Sequence, residues 1–324
     1  MRSLLIMQER YLRIVKRRII KLLAAALAGT LAFGTVGVSA ASEVPDWLKH
    51  ADGIKETPEQ QEKNEELEKW REEKRNVKVP ILLYHHITND TFTDEQSISH
   101  ISPNDFRLHM TAIKVHYNPI SLRRYIEYVK CDDGSITLPE NPIVVTFDDG
   151  YSSNYEIAYP ILKELEIPAT IFVVTDTVGE PASGGKVHYS HFTWQQAREM
   201  EASGLIEIQS HTADHIGMTT VNAGEQMRQL RKSKYDIEKN LGHKCDMIAF
   251  PYGDYNEEVK QEARNSGYAV QLLVDNKTTE NDYDVNIPSE GIESLTRMTI
   301  AGSMGNVNVI EIIRKTVNKK VIPD

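Results

Sequence analysis

From Val77 onward, short runs rich in strand-forming residues alternate with segments whose apolar residues recur at helical spacing. This alternation is typical of parallel strands joined by crossover helices, and no other feature of the chain constrains the fold as strongly. It predicts an α/β fold, a distorted (β/α) barrel of about seven parallel strands, with its chemistry at the carboxyl ends of the strands. The predicted strands cover residues 79–84, 143–147, 170–174, 205–210, 247–250, 269–274 and 297–300.

Helix boundary signals lie between these strands. Ser102 can cap a helix that has Pro103 at its first position, and Asn222 can cap another. Gly242 is a stop signal for the second of these helices, because glycine readily adopts the left-handed conformation that ends many helices. Asn256 opens a further helix. These signals support crossover helices between the predicted strands.

Residues 1–41 have the layout of an export segment. A basic cluster is followed by an uncharged apolar run, Leu22 to Ala41, which ends in small residues. Cleavage after Ala40 fits a signal peptide, whereas the run is also nearly long enough to span a bilayer as an uncleaved anchor. Both interpretations predict an extracytoplasmic protein, either secreted or anchored to the cell membrane by this segment. A buried core helix is the weaker alternative, since the run is apolar all round behind a cationic flank.

Residues 42–76 differ in composition from the segments on either side. From Glu56 to Arg75 the chain consists almost entirely of Glu, Lys, Gln, Asn and Arg, without an apolar stripe. Such a segment cannot bury enough apolar surface to offset its chain entropy, which predicts a charged stalk or linker. The alternative is a helix docked through Leu67 and Trp70. The folded domain is predicted over residues 77–324.

The charge balance argues against nucleic acid as a partner. The chain holds 37 Lys and Arg against 47 Asp and Glu. The first 21 residues contain seven of the basic residues and one acid, so that 30 basic and 46 acidic residues remain in the rest. A surface this acidic repels phosphate backbones.

The two cysteines, Cys131 and Cys245, could pair in an oxidising compartment or remain free thiols.

Two carboxylates follow one predicted strand. The run 143–147 ends in Asp148, Asp149 and Gly150, so a buried strand delivers both side chains to its carboxyl end. Two carboxylates this close repel each other, which raises the pKa of one of them. A bound cation changes this, because it holds one carboxylate ionised and leaves the other free to accept a proton. A simple turn is the alternative interpretation, because Asp-Gly is a common turn signal.

Two histidines four residues apart follow another predicted strand. His211 and His215 come directly after the run 205–210, and side chains at this spacing can face one point if the chain turns helically. With one carboxylate from Asp149 they form a set of two nitrogens and one oxygen, which leaves a position open for water as in catalytic zinc sites. The same set also suits non-heme iron.

Two further segments stand at strand ends. Pro251, Tyr252 and Gly253 follow the fifth strand, where they could aim a backbone N–H into the cleft or form an ordinary turn. His85 and His86 follow the first strand, and one of them could act as a general acid. A histidine at such a place can equally be structural.

Three segments resemble, in this order, the motifs of the polysaccharide deacetylases of carbohydrate esterase family 4. They read TFDDG (146–150), HTADH (211–215) and FPYG (250–253). The resemblance covers about Val77 to Ile300. The segment 79–87 resembles the corresponding segment of the branch that includes poly-N-acetylglucosamine deacetylases. In that branch, a histidine after the first strand takes the place of a histidine that belongs to a later motif.

The resemblance implies a barrel that binds one divalent metal ion, commonly zinc, through Asp149, His211 and His215. Other divalent metals fit the same ligands. It also implies that Asp148 is the catalytic base and that the backbone N–H of Tyr252 binds the oxyanion. A histidine near the first strand would protonate the departing amine.

The resemblance aligns His85, directly after the first strand, with this last role, and His86 is the alternative. Two positions before Pro251, many relatives carry an arginine that tunes the base, whereas this chain has Ala249 and no evident replacement. Arg297, which opens the last predicted strand, could support the site or be exposed.

The predicted function is a metal-dependent hydrolase that removes N-acetyl groups from an N-acetylglucosamine polymer outside the cell or in its wall. One alternative is an inert glycan-binding or regulatory module on the same fold, suggested by Ala249. Another is a non-heme iron oxygenase that uses the same three ligands. Peptidoglycan, poly-N-acetylglucosamine and chitin-like polymers are all candidate substrates, and the membrane is a partner if the amino-terminal segment stays uncleaved.

Overall fold

The structure, a computed structural model, describes residues 57–90, 99–183, 189–274, 285–300 and 309–319. The predicted export segment and the first part of the predicted stalk lie outside these residues. Within the described ranges, no helix is both long enough and apolar enough to cross a bilayer. All of them except Thr57 belong to one compact unit that begins at Pro58.

The centre of this unit is a curled sheet of seven strands, all parallel to their neighbours, in the order β10-β1-β5-β6-β7-β8-β9. A short eighth strand, β4, pairs with β5, and β2 pairs with β3 in a separate ladder. The strands are β1 (Ile81–Tyr84), β2 (His86–Ile87), β3 (His100–Ile101), β4 (Asn118–Pro119), β5 (Pro142–Asp149), β6 (Ala169–Val173), β7 (Ile206–Ser210), β8 (Met247–Ala249), β9 (Val270–Leu272) and β10 (Met298–Thr299).

All seven predicted strands are therefore confirmed, with shifted ends. The segment before β10 also bonds to the far edge of the sheet. The N–H of Leu273 donates to the carbonyl of Leu295 at 2.8 Å, and the N–H of Leu295 donates to the carbonyl of Gln271 at 3.0 Å. Because β10 itself pairs with β1, this segment links both edges, which is consistent with the predicted barrel.

From β3 to β9, α-helices connect successive strands, as the predicted crossovers require. The predicted caps are present: Ser102 accepts a hydrogen bond from the N–H of Asp105, Asn222 from that of Glu225, and Gly242 has a φ of 76°. The helices are α1 (Pro58–Asn76), α2 (Pro103–His116), α3 (Leu122–Lys130), α4 (Tyr159–Glu164), α5 (Trp194–Ala202), α6 (Ala223–Leu241), α7 (Glu257–Asn265) and α8 (Val309–Lys319).

The strands bury a different apolar cluster on each face, because successive side chains of a strand point to opposite sides. One cluster contains Val145 and Ile171 and includes residues of α2, α5 and α6. The other contains Val144 and Phe172 together with residues of α3. Asp148 lies four residues after Val144 on β5, so its carboxylate points to the same side as the second cluster.

The helix α1 is docked on the domain. The indole Nε1 of Trp70 donates to the carbonyl of Ile136 at 3.0 Å, and its ring meets that of Tyr128 edge-on, with 5.8 Å between centroids. Leu67 and Trp70 also lie beside Gly134. No residue of α1 is fully buried. Residues 58–76 of the predicted stalk therefore form a helix that contacts the domain through Leu67 and Trp70.

The two cysteines are free thiols in the structure. Cys245 is buried in the first apolar cluster, whereas Cys131 is half-buried just after α3. The Cys131 thiol donates to a carboxylate oxygen of Asp133 at 3.3 Å. Of the two alternatives drawn from the sequence, the structure therefore shows the free thiols and not the disulfide.

Candidate active site

The carboxyl ends of the central strands meet at one edge of the sheet. Asp149 ends β5 and pairs with Val173 of β6, which in turn pairs with Ser210 at the end of β7. Since the strands are parallel, the residues that follow them emerge on the same side. His211 therefore lies only two strands away from Asp149.

Asp149, His211 and His215 form one group, as predicted from the sequence. Each offers a ligand atom, and the three atoms lie within 4.8 Å of one another. The Nε2 atom of His211 is 3.6 Å from Oδ1 of Asp149, and the Nε2 atom of His215 is 3.3 Å from the same oxygen. The carboxylate and the His211 ring are buried, whereas His215 is half-buried.

These three residues fit a divalent metal ion by their chemistry. His211 Nδ1 lies 2.8 Å from the carbonyl oxygen of Ala249, which can only accept, so Nδ1 carries the proton and Nε2 keeps a free lone pair. Such a second contact typically fixes the orientation of a metal-binding imidazole. Burial lowers the pKa of His211 to about 4, which keeps the ring in the neutral form that binds metals.

The backbone around this group is unusual. Asp149, Thr212, His215 and Tyr252 all have left-handed φ angles, of 73°, 68°, 56° and 60°. Residues other than glycine rarely adopt this conformation, and such positions cluster at functional sites because the surrounding structure must hold them there. Here they turn the chain sharply at the ends of β5, β7 and β8.

Asp148 binds an arginine that the sequence left unassigned. Nη1 of Arg297 lies 2.6 Å from Oδ1 of Asp148, and Nη2 lies 2.7 Å from Oδ2. The arginine side chain is 0% exposed. Burial raises the pKa of Asp148, but the charge of Arg297, followed by that of His211, outweighs burial and holds the pKa at about 2. The carboxylate is therefore ionised although it is buried.

Arg297 is itself held from two sides. Its Nε donates to the carbonyl of Leu273 at 3.3 Å, and its guanidinium lies over the ring of Phe172, 5.5 Å from the centroid. One sequence signal points to this inward position: Arg297 comes two residues after Leu295, which lies in the second apolar cluster, and strand side chains alternate. Asp148 therefore has an arginine partner although position 249 is alanine.

His85 and His86 face different surroundings. Nδ1 of His86 is 2.9 Å from Oγ of Ser153, and its ring lies beside that of Tyr189, with 4.3 Å between centroids. His85, in contrast, lies close enough to interact electrostatically with Asp148 and Asp149, although Arg297 and His215, respectively, contribute more to the lowered pKa values of these carboxylates. Its buried Nδ1 makes no hydrogen bond to any residue that the structure describes.

Tyr252 lies at the protein surface beside His215. It lies in the short 3₁₀ turn Pro251–Gly253 after β8, and it is 64% exposed. Its ring meets that of His215 edge-on, with 4.5 Å between the centroids. The third predicted segment therefore lies directly beside the grouped ligands.

Comparisons with known proteins agree with this geometry. A family model described as polysaccharide deacetylase matches residues 135–271. YxkH of Bacillus subtilis, which carries the same family name, is 27% identical over 250 residues, 75% of this chain and 79% of YxkH. The poly-beta-1,6-N-acetyl-D-glucosamine N-deacetylase of Staphylococcus aureus (strain MRSA252) is 28% identical over 198 residues, 58% of this chain and 66% of that enzyme, just under two thirds of its length.

Solved structures share the fold over a larger part of the chain. Streptococcus pyogenes deacetylase PplD in complex with acetate is 25% identical, with a TM-score of 0.60 over 73% of this chain and 98% of PplD. A de-N-acetylase from Aggregatibacter actinomycetemcomitans is 25% identical, with a TM-score of 0.61 over 73% of this chain and 100% of that chain. IcaB from Ammonifex degensii, 24% identical, has the same fold, with a TM-score of 0.58 over 70% of this chain and 93% of IcaB.

The family match runs from before β5 to β9, and it therefore includes every member of the Asp149, His211 and His215 group. The structural matches cover a larger share of the chain than the family match does. This chain therefore contains a polysaccharide deacetylase domain, and the protein is a hydrolase.

Proposed function

We propose that this protein removes N-acetyl groups, by hydrolysis of the amide bond, from an extracellular or cell-wall polysaccharide that contains N-acetylglucosamine. The observation that carries the proposal is the buried, ionised Asp148 next to the group of three potential metal ligands. The named substrate of the Staphylococcus aureus relative supports an N-acetylglucosamine polymer. The predicted export segment supports a location outside the cytoplasm, in which the domain is either secreted or anchored to the membrane.

Asp149, His211 and His215 would hold one divalent metal ion, with zinc as the first candidate. When bound, such an ion polarises the acetamide carbonyl and lowers the pKa of water toward about 7. The three ligands come from two chain segments only, the end of β5 and the five residues after β7. Asp149 and His211 are buried, and Nδ1 of His211 contacts the carbonyl oxygen of Ala249.

Asp148 is the base of the proposed reaction. Arg297 keeps the carboxylate ionised, so it can accept a proton from the attacking water at neutral pH. Each of its oxygens accepts one hydrogen bond from Arg297, and each keeps a second lone pair for this purpose. Arg297 thereby also fixes the orientation of the carboxylate.

The remaining steps concern the oxyanion and the leaving group. The backbone N–H of Tyr252 would donate to the oxyanion as the carbonyl carbon becomes tetrahedral. His85 would give a proton to the amine nitrogen as the C–N bond breaks, and acetate and a free amine result. His85 directly follows β1, and its Nδ1 makes no hydrogen bond to any residue that the structure describes, whereas His86 is engaged with Ser153.

Mass spectrometry of sugar oligomers tests the proposal. The zinc-loaded full-length chain should remove acetyl groups from β-1,6 or β-1,4 N-acetylglucosamine oligomers, or from peptidoglycan fragments, and the linkage that reacts names the substrate. A His211→Ala variant is the control and should leave every substrate intact. If the wild type leaves all three substrates acetylated, the proposed function is wrong.

The two alternative functions predict other outcomes. An inert glycan-binding module releases no acetate, and its motivation, Ala249, is weakened because Arg297 contacts Asp148. A non-heme iron oxygenase requires iron and oxygen, so acetate release in anaerobic zinc buffer would exclude it.

A further inference from the structure

We propose that Gln229 of α6 is a positioning residue that holds the loop 211–215 in the conformation able to bind metal. The inference rests on the proposed metal site and adds to it a residue that does not touch metal or substrate. Gln229 is 0% exposed, yet it is a polar side chain in the middle of a helix. A buried amide of this kind needs partners for each of its hydrogen-bonding positions.

All of those partners are present. Oε1 of Gln229 accepts from two consecutive backbone N–H groups, that of Ala213 at 3.0 Å and that of Asp214 at 2.9 Å. Its Nε2 donates to Oδ2 of Asp214 at 3.0 Å and to Oε1 of Glu225 at 2.9 Å. The amide thus uses two acceptor and two donor positions, and three of the four bonds go to the loop between the histidines.

The loop needs such support because it is neither helix nor strand. Thr212 and His215 have left-handed φ angles of 68° and 56°, so the segment cannot satisfy its N–H groups by a regular ladder. Leaving such an N–H without an acceptor destabilises the folded conformation. Gln229 satisfies the two N–H groups in the middle of the loop, with His211 on one side and His215 on the other.

The same helix offers a matched control. Gln226 lies three residues before Gln229 on α6 and is also buried. Its Nε2 donates to the carbonyls of Met218 at 2.9 Å and Val221 at 3.3 Å, both outside the loop 211–215. Methionine is similar in size to glutamine but lacks the amide group. Either replacement therefore removes a buried amide, but only Gln229→Met removes hydrogen bonds to the loop 211–215.

The test compares full-length wild type with the Gln229→Met and Gln226→Met variants. Competition with a chromophoric chelator gives the Kd for Zn²⁺, and the visible absorption of the Co²⁺ form reports the ligand geometry. We expect Gln229→Met to bind Zn²⁺ about tenfold or more weakly and to change the Co²⁺ spectrum, as is typical when the support of metal ligands is removed. Gln226→Met should keep the wild-type Kd and spectrum, although both variants lower the Tm.

A second pair of variants covers the case in which Gln229→Met does not fold. Gln229→Glu keeps the size and the acceptor for both N–H groups, but it sets a like charge against Asp214 and Glu225, which both accept from Gln229 Nε2. It should weaken Zn²⁺ binding, and adding Asp214→Asn together with Glu225→Gln should restore binding, because each of these two contacts then has a donor that faces the new carboxylate. Failure of that rescue contradicts a positioning role.

The outcomes separate this inference from the proposed function. If the wild type binds no divalent metal, both are wrong. If the wild type binds Zn²⁺ and Gln229→Met binds it equally well, only the role of Gln229 is wrong. Equal weakening in Gln229→Met and Gln226→Met would also overturn that role, since it would show a general loss of stability.

Discussion

At the scale of single residues, a carboxylate that is buried and still ionised needs a cation in contact with it. Asp148 meets that need through Arg297, with both oxygens paired and the guanidinium enclosed between Phe172 and the carbonyl of Leu273. The pair leaves the carboxylate as an acceptor without exposing it to water. Each partner depends on the other, because either charge alone would be buried without compensation.

We therefore expect Arg297→Met to lower the free energy of unfolding by roughly 3–5 kcal/mol, since it leaves the Asp148 charge buried without its cation. Urea unfolding measures the loss. The double variant Arg297→Met/Asp148→Asn should be more stable than the single variant, because the uncompensated charge is gone, while releasing no acetate. An Arg297→Met protein as stable as the wild type would contradict this account of the ion pair.

The two adjacent histidines should behave differently. We expect His85→Ala to lower kcat on acetylated oligomers by about 10²- to 10⁴-fold, the usual contribution of a general acid, with a small change in Tm. His86→Ala should mainly lower the Tm, because it removes the contact with Ser153 and the packing against Tyr189. The reverse pattern, with the larger kcat loss in His86→Ala, would assign the acid to His86.

At the scale of elements, the proposed metal joins the end of β5 to the loop after β7, with β6 between them. Its binding should therefore stabilise the sheet edge that carries the site. Free Zn²⁺ at a hundred times the Kd should add about 2.7 kcal/mol of stability, and chelation should remove it. Calorimetry of the wild type and of His211→Ala checks this: a Tm shift of equal size in both proteins would show binding elsewhere.

The helix α1 is a second element with a separable role. It contacts α3 and the loop before β5, at the amino ends of the strands and so at the edge opposite the site. We expect Trp70→Ala to cost roughly 1–3 kcal/mol, less than a fully buried tryptophan, and to expose α1 to proteolysis. The Kd for Zn²⁺ should stay unchanged. A protease pattern identical to that of the wild type would mean that α1 is not held by Trp70.

At the scale of the whole molecule, paired carboxylates link stability to pH. The pKa values of Asp148, Asp149 and Asp246 are lowered on folding, because nearby basic groups, led by Arg297 for Asp148 and by His215 for Asp149, outweigh the raising effect of burial. For Asp246 the cation is Arg123, 2.8 Å away. A lowered pKa contributes stability above the unfolded value of about 3.9, and this contribution is lost as the pH falls through the folded pKa.

Metal-free protein should therefore lose stability steadily between about pH 4 and pH 2, where Asp148 also takes up its proton. Urea midpoints at pH 7, 4 and 3 measure the loss. An Asp246→Asn variant should lose less over this range, since one of the groups no longer titrates. A urea midpoint that is the same at all three pH values would contradict the linkage.

Local sequence patterns predicted much of this molecule. The seven strands, the caps at Ser102 and Asn222 and the grouping of Asp149 with His211 and His215 all follow from alternation, capping residues and the placement of polar residues after strands. These patterns involve residues close together in the chain, so local backbone geometry is enough to predict the strand or helix that they form. The contacts of α1 could not be predicted from its charged composition, because Trp70 and Lys74 make them with carbonyl groups that lie more than fifty residues further along the chain.

Other features depended on how the sheet curls. Arg297 and Asp148 are 149 residues apart in the chain, and no local pattern could pair them, because their contact exists only once β10 lies beside β1 and the segment before it bonds to β9. The different surroundings of His85 and His86, and the bonds from Gln229 to the histidine loop, arise in the same way. The sequence by itself determined the order of the strands and the residues at their ends, whereas tertiary structure decided which side chains meet, since such contacts require chain-distant residues within about 3 Å.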